Sequence, residues 1–388
     1  MAITNKVGPP VTGDDFYGRE AELTRAHDYL TSYHSLVLSA PRRIGKSSFA
    51  KRLIEDKINE GWKCVYIDLE GVRTRDEFLQ ILISTFDKAG IWVEAMHATG
   101  GFISKILESI KGIGPLKIDY NQSENTENLY ASLAEVIDHS KDALIVIDEL
   151  TLFLSILDRN PQNHNEAEFF LNWFRSLRQV SNSKIRWIFC GSVGLHNFTQ
   201  MRNLSMTIND LLSFDFDALS DEEAQGLVKA LAESENIAIS QELVDYLLDR
   251  IEWPIPYFIQ LLFTNIKNHP GSRSGINHQI IDDAITKLSQ GDDLRTWSER
   301  LAEYNGYEKG ARLILRRLSE PEDGLSREQL FAIYSASTNN PDPDENEEAF
   351  SQILNMIEHD GYIMRTSNGK RRFRSPLLRI WWYYKFVE

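Results

Sequence analysis

Cysteine is nearly absent from this chain: Cys64 and Cys190 are the two among 388 residues. Each lies beside an apolar run, KCVYIDL or WIFCGS, so both are expected as reduced core thiols. Two isolated cysteines without clustered histidine make no zinc site. Positive charge is also short. Lys and Arg number 42 against 57 Asp and Glu, a net charge of −15. That excludes a broad surface for nucleic acid or anionic membrane, because phosphate binding needs clustered Lys and Arg; one local basic patch stays compatible. No apolar run approaches the ~18 residues of a membrane span, and MAITNKVGPPV lacks the apolar core of a signal peptide. A cytoplasmic protein with no membrane partner is expected. Repeats of solenoid period are missing too.

What is present is α/β patterning. The length suggests two or three domains at roughly 150 residues each. SLVLS (35–39), KCVYIDL (63–69), DALIVIDEL (142–150), IRWIFCGS (185–192) and SFDFDAL (213–219) read as strands. Between them 47–60, 74–89, 127–139 and 165–180 read as helices, with Thr74 and Glu77 at an N-terminus. This alternation predicts a parallel α/β sheet over residues 1–218. Glycines punctuate 90–125, which reads as a flexible insertion with one short helix. From SDEEAQGLVKAL onward, 219–303 is helical throughout, a lid opened by the capping-box pair Ser220 and Glu223. In 304–388, three helices (KGARLILRRL, SREQLFAIYSA, EEAFSQILNMIEHD) precede a hairpin turning at Ser367-Asn368-Gly369. Three helices and a two-stranded wing predict a winged-helix domain. STNNPDPDENEE reads as a polar, Pro-broken loop. The aromatic tail IWWYYKF is too short to span a membrane and is expected to pack into that domain as a strand or helix.

SAPRRIGKSS (39–48) ends in Gly45-Lys46-Ser47, the close of the phosphate-loop pattern G-x-x-x-x-G-K-[ST]. Ala40 holds the first glycine position; it is the next smallest side chain, so the loop reads as a variant rather than a broken one. Joining a strand to a helix, the loop Ala40, Pro41, Arg42, Arg43, Ile44, Gly45, Lys46, Ser47 and Ser48 is expected to cradle the phosphates of ATP or ADP at the helix dipole. Lys46 would reach the β- and γ-phosphates, and Ser47 would offer its hydroxyl to Mg²⁺. A hundred residues on, ALIVIDE supplies Asp148 to hold Mg²⁺ through water and Glu149 to polarise the attacking water. Ser192, at the end of the strand 185–192, would sense the γ-phosphate or place the water, or simply turn the chain. Arg42 and Arg43 would offset phosphate charge in cis, or serve loop solvation or a salt bridge.

These residues resemble the STAND class of P-loop ATPases, relatives of AAA+ proteins, and within it the archaeal-ATPase-like branch. FYGREAEL, SAPRRIGKSS, LIVIDEL and WIFCGSVGL carry the likeness. EWPIPYFIQLL is similar to that class's Gly-x-Pro lid motif, with Pro256 the matching proline and Pro254 where Gly is usual, and FRSPLLRIWW is similar to its C-terminus. The resemblance implies an ATP-dependent molecular switch in signalling, regulation or defence. It implies that Tyr17, Gly18 and Arg19 contact the adenine end, and that Pro256 presents a lid helix to a nucleotide held between the P-loop domain and the lid.

Ring-forming motors usually place an arginine finger before the last strand. SMTINDLLSF has no arginine, and Arg202 is the only one between Ser192 and that strand. A DNA-associated initiator or loader also joins such an ATPase to a winged helix. Here the loop and third helix carry Asp342, Asp344, Glu345, Glu347, Glu348, Glu358 and Asp360 without Lys or Arg, which repels phosphate from a groove-reading position. The wing offers Arg365, Lys370, Arg371, Arg372 and Arg374 for DNA backbone, for an acidic partner, or for acids elsewhere on this chain. The expected partners are proteins or a second copy, with DNA the alternative. A further alternative is a scaffold that binds ATP without hydrolysing it.

Overall fold

The computed structural model describes residues 3–91, 133–134, 137–138, 141–158, 165–181, 183–191, 195–215, 217–304 and 306–388. Nearly all of the expected insertion at 90–125, most of the helix at 127–139, and Ser192 lie outside the described residues. The chain divides into two compact units. One comprises Glu20–Ala40 and Lys46–Phe216; the other comprises Met1–Arg19, Pro41–Gly45 and Asp217–Glu388.

The first unit is built on a five-stranded parallel sheet, β1 (Leu36–Ser39), β2 (Lys63–Asp68), β3 (Ala143–Asp148), β4 (Ile185–Cys190) and β5 (Leu212–Asp215), in the order β2-β3-β4-β1-β5. β3 and β4 are buried at every position, as their continuous apolar runs require of central strands in a parallel sheet. Helix α1 (Glu20–Thr31) precedes β1, and α2 (Lys46–Asn59) follows it, burying Phe49, Ala50 and Leu53. α3 (Arg75–Lys88) begins where Thr74 accepts the Glu77 N–H at 3.2 Å; the Glu77 carboxylate turns instead to the Arg73 N–H at 2.7 Å. α4 (Leu150–Asp158) leaves the end of β3 directly, and α5 (Glu166–Arg178) packs Phe170 and Phe174 among Phe78, Phe153 and Trp187. α6 (Leu195–Met201) lies between β4 and β5.

In the second unit, α7 (Asp221–Ser234) opens with both halves of the capping box between Ser220 and Glu223. α8 (Gln241–Ile251), α9 (Pro256–Lys267) and α10 (His278–Gln290) follow, and α9 is buried along most of its length, from Tyr257 to Phe263. The short α11 (Arg295–Glu299) leads to α12 (Glu308–Leu318), α13 (Arg327–Ser335) and α14 (Pro343–His359), then to the hairpin β6 (Ile363–Arg365) and β7 (Arg371–Phe373). α14 starts earlier than its apolar period suggests. Asp342 accepts the N–H groups of Asp344 and Glu345, and Pro343 takes the first helical position, where its missing N–H costs nothing. The segment read as a Pro-broken loop is therefore partly first turn.

The aromatic tail forms helix α15 (Pro376–Phe386), burying Trp381 and Trp382 while Tyr383, Tyr384 and Phe386 stay more than a third exposed. Trp381 donates its indole N–H to the Gly291 carbonyl at 2.9 Å, and Lys385 pairs with Asp292 at 3.0 Å, so the tail packs on α10 as well as on its own segment. Among the described residues no helix is long and apolar enough to cross a membrane.

Candidate functional site

β1 delivers Ala40 to the start of the loop, and α2 begins at Lys46. Lys46 is buried, and its ammonium donates to the Ala40 carbonyl at 2.6 Å, across the mouth of the loop. Gly45 holds φ at 104°, a value that suits glycine alone. Ser47, one residue into the helix, donates its hydroxyl proton to Asp148 Oδ2 at 2.6 Å. Asp148 is buried at the carboxyl end of β3 and also accepts the Glu149 N–H on Oδ1 at 3.0 Å. Ser48 lies half-buried in the same first turn of α2.

Glu149 stands between β3 and α4 with φ at 55°. A glutamate in the left-handed region costs roughly 1–3 kcal/mol, strain of the kind held at functional positions. The side chain is half-buried. Cys190 ends β4 opposite Leu38 of β1, fully buried, and burial pushes its thiol well above the usual range, with the Asp148 charge adding to it. Ser192, two residues on, is outside the described residues.

One residue of this cluster was not singled out from the sequence. Tyr66 of β2 donates its phenol to the same Asp148 Oδ2. Burial, then the Asp148 charge, drives that phenol far above its ordinary range, so it remains a donor.

The remaining loop residues make their contacts in the second unit. Pro41 is buried near Gly361. Arg42 is half-buried. Arg43, with φ at 64°, donates to the Gly8 carbonyl at 3.1 Å and stacks 4.8 Å from the Tyr257 ring. Ile44 is buried, and its carbonyl accepts from Arg19 at 3.3 Å. Arg19 is itself buried; its guanidinium also reaches the Ala218 carbonyl at 3.4 Å, and its N–H donates to Glu223 at 2.5 Å. Burial alone would raise the Glu223 carboxyl, but the N–H donors of Arg19 and Ser220 outweigh it and hold it below its ordinary range. Gly18 precedes Arg19 with φ at 71°, and the Tyr17 hydroxyl lies against Gly226 of α7. Pro256 is the first residue of α9. Arg202 pairs with Asp158 and stacks 4.0 Å from Phe198, which occupies the side chain locally.

The donor set suits a hard divalent cation. Ser47 spends its one proton on Asp148 and keeps oxygen lone pairs, and Asp148 adds carboxylate oxygens. Mg²⁺ bound with phosphates needs only one or two such protein groups.

Comparisons with known proteins agree with this geometry. Residues 31–198 match the sequence profile of the AAA domain. The fold is similar to that of the Walker-type ATPase of Pyrococcus abyssi, at 16% identity and TM-score 0.65, over 97% of this chain and 99% of that one. It is also similar to the ORC2 protein of Aeropyrum pernix, solved as ADPNP-ADP complexes, at 13% identity and TM-score 0.53, over 95% and 94% of the two chains. A comparison with curated proteins finds no match. The parallel sheet, its loop and these likenesses define the P-loop NTPase fold, the α/β class expected from the strand and helix alternation.

Proposed function

We propose that this chain is an ATP-binding, slowly hydrolysing switch of the STAND type that works through protein partners or self-association. One observation carries the nucleotide reading: the hydrogen bond from Ser47 to Asp148, which joins the phosphate loop to an acidic strand 101 residues away. In this reading the loop amides and Lys46 hold the phosphates of ATP or ADP, and Lys46 exchanges the Ala40 carbonyl for phosphate oxygens. Ser47 and, through water, Asp148 hold Mg²⁺, which when bound offsets phosphate charge. Glu149 polarises the attacking water, its left-handed backbone being the strain that role would explain. In the same reading Ser192 senses the γ-phosphate or places the water, Tyr17, Gly18 and Arg19 take the adenine end, and Pro256 is the proline of the lid motif.

Support for a switch comes from the loop itself. Ala40 and Lys46 belong to the sheet unit, whereas Pro41–Gly45 belong by their contacts to the unit of α7–α15. We read 219–303 as the lid and 304–388 as a winged helix, and the protein as cytoplasmic.

A DNA-associated role is disfavoured by the wing. Arg371 pairs with Glu358 at 3.0 Å, Arg372 with Glu252 at 2.7 Å and Arg374 with Asp217 at 2.6 Å, so three of its five cations are matched by acids of this chain. ATP turnover of wild type, Lys46→Ala and Glu149→Gln, each with and without duplex DNA, tests the reading. Slow turnover lost in both variants and indifferent to DNA is expected. Severalfold stimulation by DNA would favour an initiator-like enzyme, and binding without any hydrolysis would favour a scaffold.

A further inference from the structure

Tyr66 sits in β2 opposite Val146 of β3, and Asp68 sits opposite Asp148. Residues 66 and 68 share one face of a strand, as do 146 and 148, so Tyr66 meets Asp148 on the diagonal across the pair. Its phenol donates to Asp148 Oδ2, the oxygen that also accepts from Ser47. Oδ1 takes the Glu149 N–H. Three donors thus fix the rotation of a buried carboxylate and determine which lone pairs stay open. Of these three, Tyr66 comes from the neighbouring strand β2, away from the phosphate loop helix and from β3 with the residue that follows it. Its ring is held in turn by Lys51, whose ammonium lies 5.1 Å from the ring centroid, one helical turn after Ser47.

We infer that Tyr66 is a positioning residue for the metal site: its phenol holds Asp148 in the orientation that receives the hydrated divalent cation accompanying the nucleotide. The inference rests on the nucleotide·Mg²⁺ reading given above. Hydrogen-bond partners of metal-binding groups commonly change metal affinity by about 10–100-fold when removed. Tyr66→Phe deletes one donor and keeps the ring beneath Lys51, so packing is preserved.

The test is binding of a fluorescent ADP analogue to the full chain, first in EDTA and then across a Mg²⁺ titration, for wild type, Tyr66→Phe and Asp148→Asn. A thermal melt accompanies each. Tyr66→Phe is expected to bind the metal-free nucleotide within about twofold of wild type, while its Mg²⁺ midpoint rises about tenfold. A midpoint within twofold of wild type overturns the inference. So does a loss of affinity already present in EDTA together with an early melt, the pattern of a packing residue. If Asp148→Asn abolishes the Mg²⁺ response and Tyr66→Phe leaves it intact, the role of Tyr66 alone falls. If wild type shows no Mg²⁺ response, or Asp148→Asn does not alter it, the reading of the site falls and Tyr66 with it.

Discussion

Lys46 and Glu149 mark two ways a side chain can be committed to a site. Lys46 is buried with its ammonium on a backbone carbonyl, a polar partner that phosphate oxygens would replace, under the proposed function, without leaving a bare charge. Lys46→Ala is expected to weaken ATP binding at least tenfold, read by titration with a fluorescent analogue. Glu149 is committed through its backbone, at φ 55°. Glu149→Gln is expected to keep nucleotide affinity and lower turnover by about 10²–10⁴. Glu149→Gly adopts the same φ without strain, so it is expected to gain about 1 kcal/mol in stability while losing turnover. A thermal midpoint that falls in the glycine variant would show that the backbone angle carries no strain. Neither the angle nor the Tyr66 contact is visible in the residue string. The first depends on how β3 enters α4, and the second on the register of β2 against β3.

Among the elements, α7 meets Arg19 through Glu223, and the turn after α14 lies beside Pro41 of the loop. α7 was legible because Ser220 and Glu223 form a local motif three residues apart. What was not legible is that the Glu223 carboxylate also accepts the Arg19 N–H, 204 residues away. Glu223 is held below its ordinary range in the folded chain, so its contribution is present above the unfolded value and is lost as pH falls through the folded one. The thermal midpoint of wild type is expected to drop more steeply below about pH 4 than that of Glu223→Gln, which has no carboxyl to protonate. The turn at Gly361 has φ 81°, and a Cβ there would lie 2.6 Å from the Trp253 ring and 2.8 Å from Pro41. Gly361→Ala is expected to cost about 2–4 kcal/mol in denaturant unfolding, from strain and overpacking together. α14 shows the limit of periodicity: its apolar stripe locates the helix, but its start is set by the Asp342 cap and Pro343.

For the whole molecule, charge is the deciding quantity. The net charge of −15 argues against a broad nucleic-acid surface, and the wing was the one exception. In the folded chain Arg371, Arg372 and Arg374 face Glu358, Glu252 and Asp217. Arg372→Ala and Arg374→Ala are expected to lower stability by about 0.5–1 kcal/mol each, as exposed ion pairs do, without changing retention on duplex DNA at physiological salt. Salt-dependent DNA binding lost in these variants would reverse that conclusion. The parallel α/β class, the loop at 39–48 and the acids at 148 and 149 could be read directly, because strand–loop–helix succession and residue type are local properties. The strand order, the meeting of Ser47 with Asp148 and Tyr66, and the pairing of the wing arginines join residues far apart in sequence, 101 positions for Ser47 and Asp148 and 157 for Arg374 and Asp217. Such meetings follow from which strand lies beside which and in what register, and no local pattern encodes that.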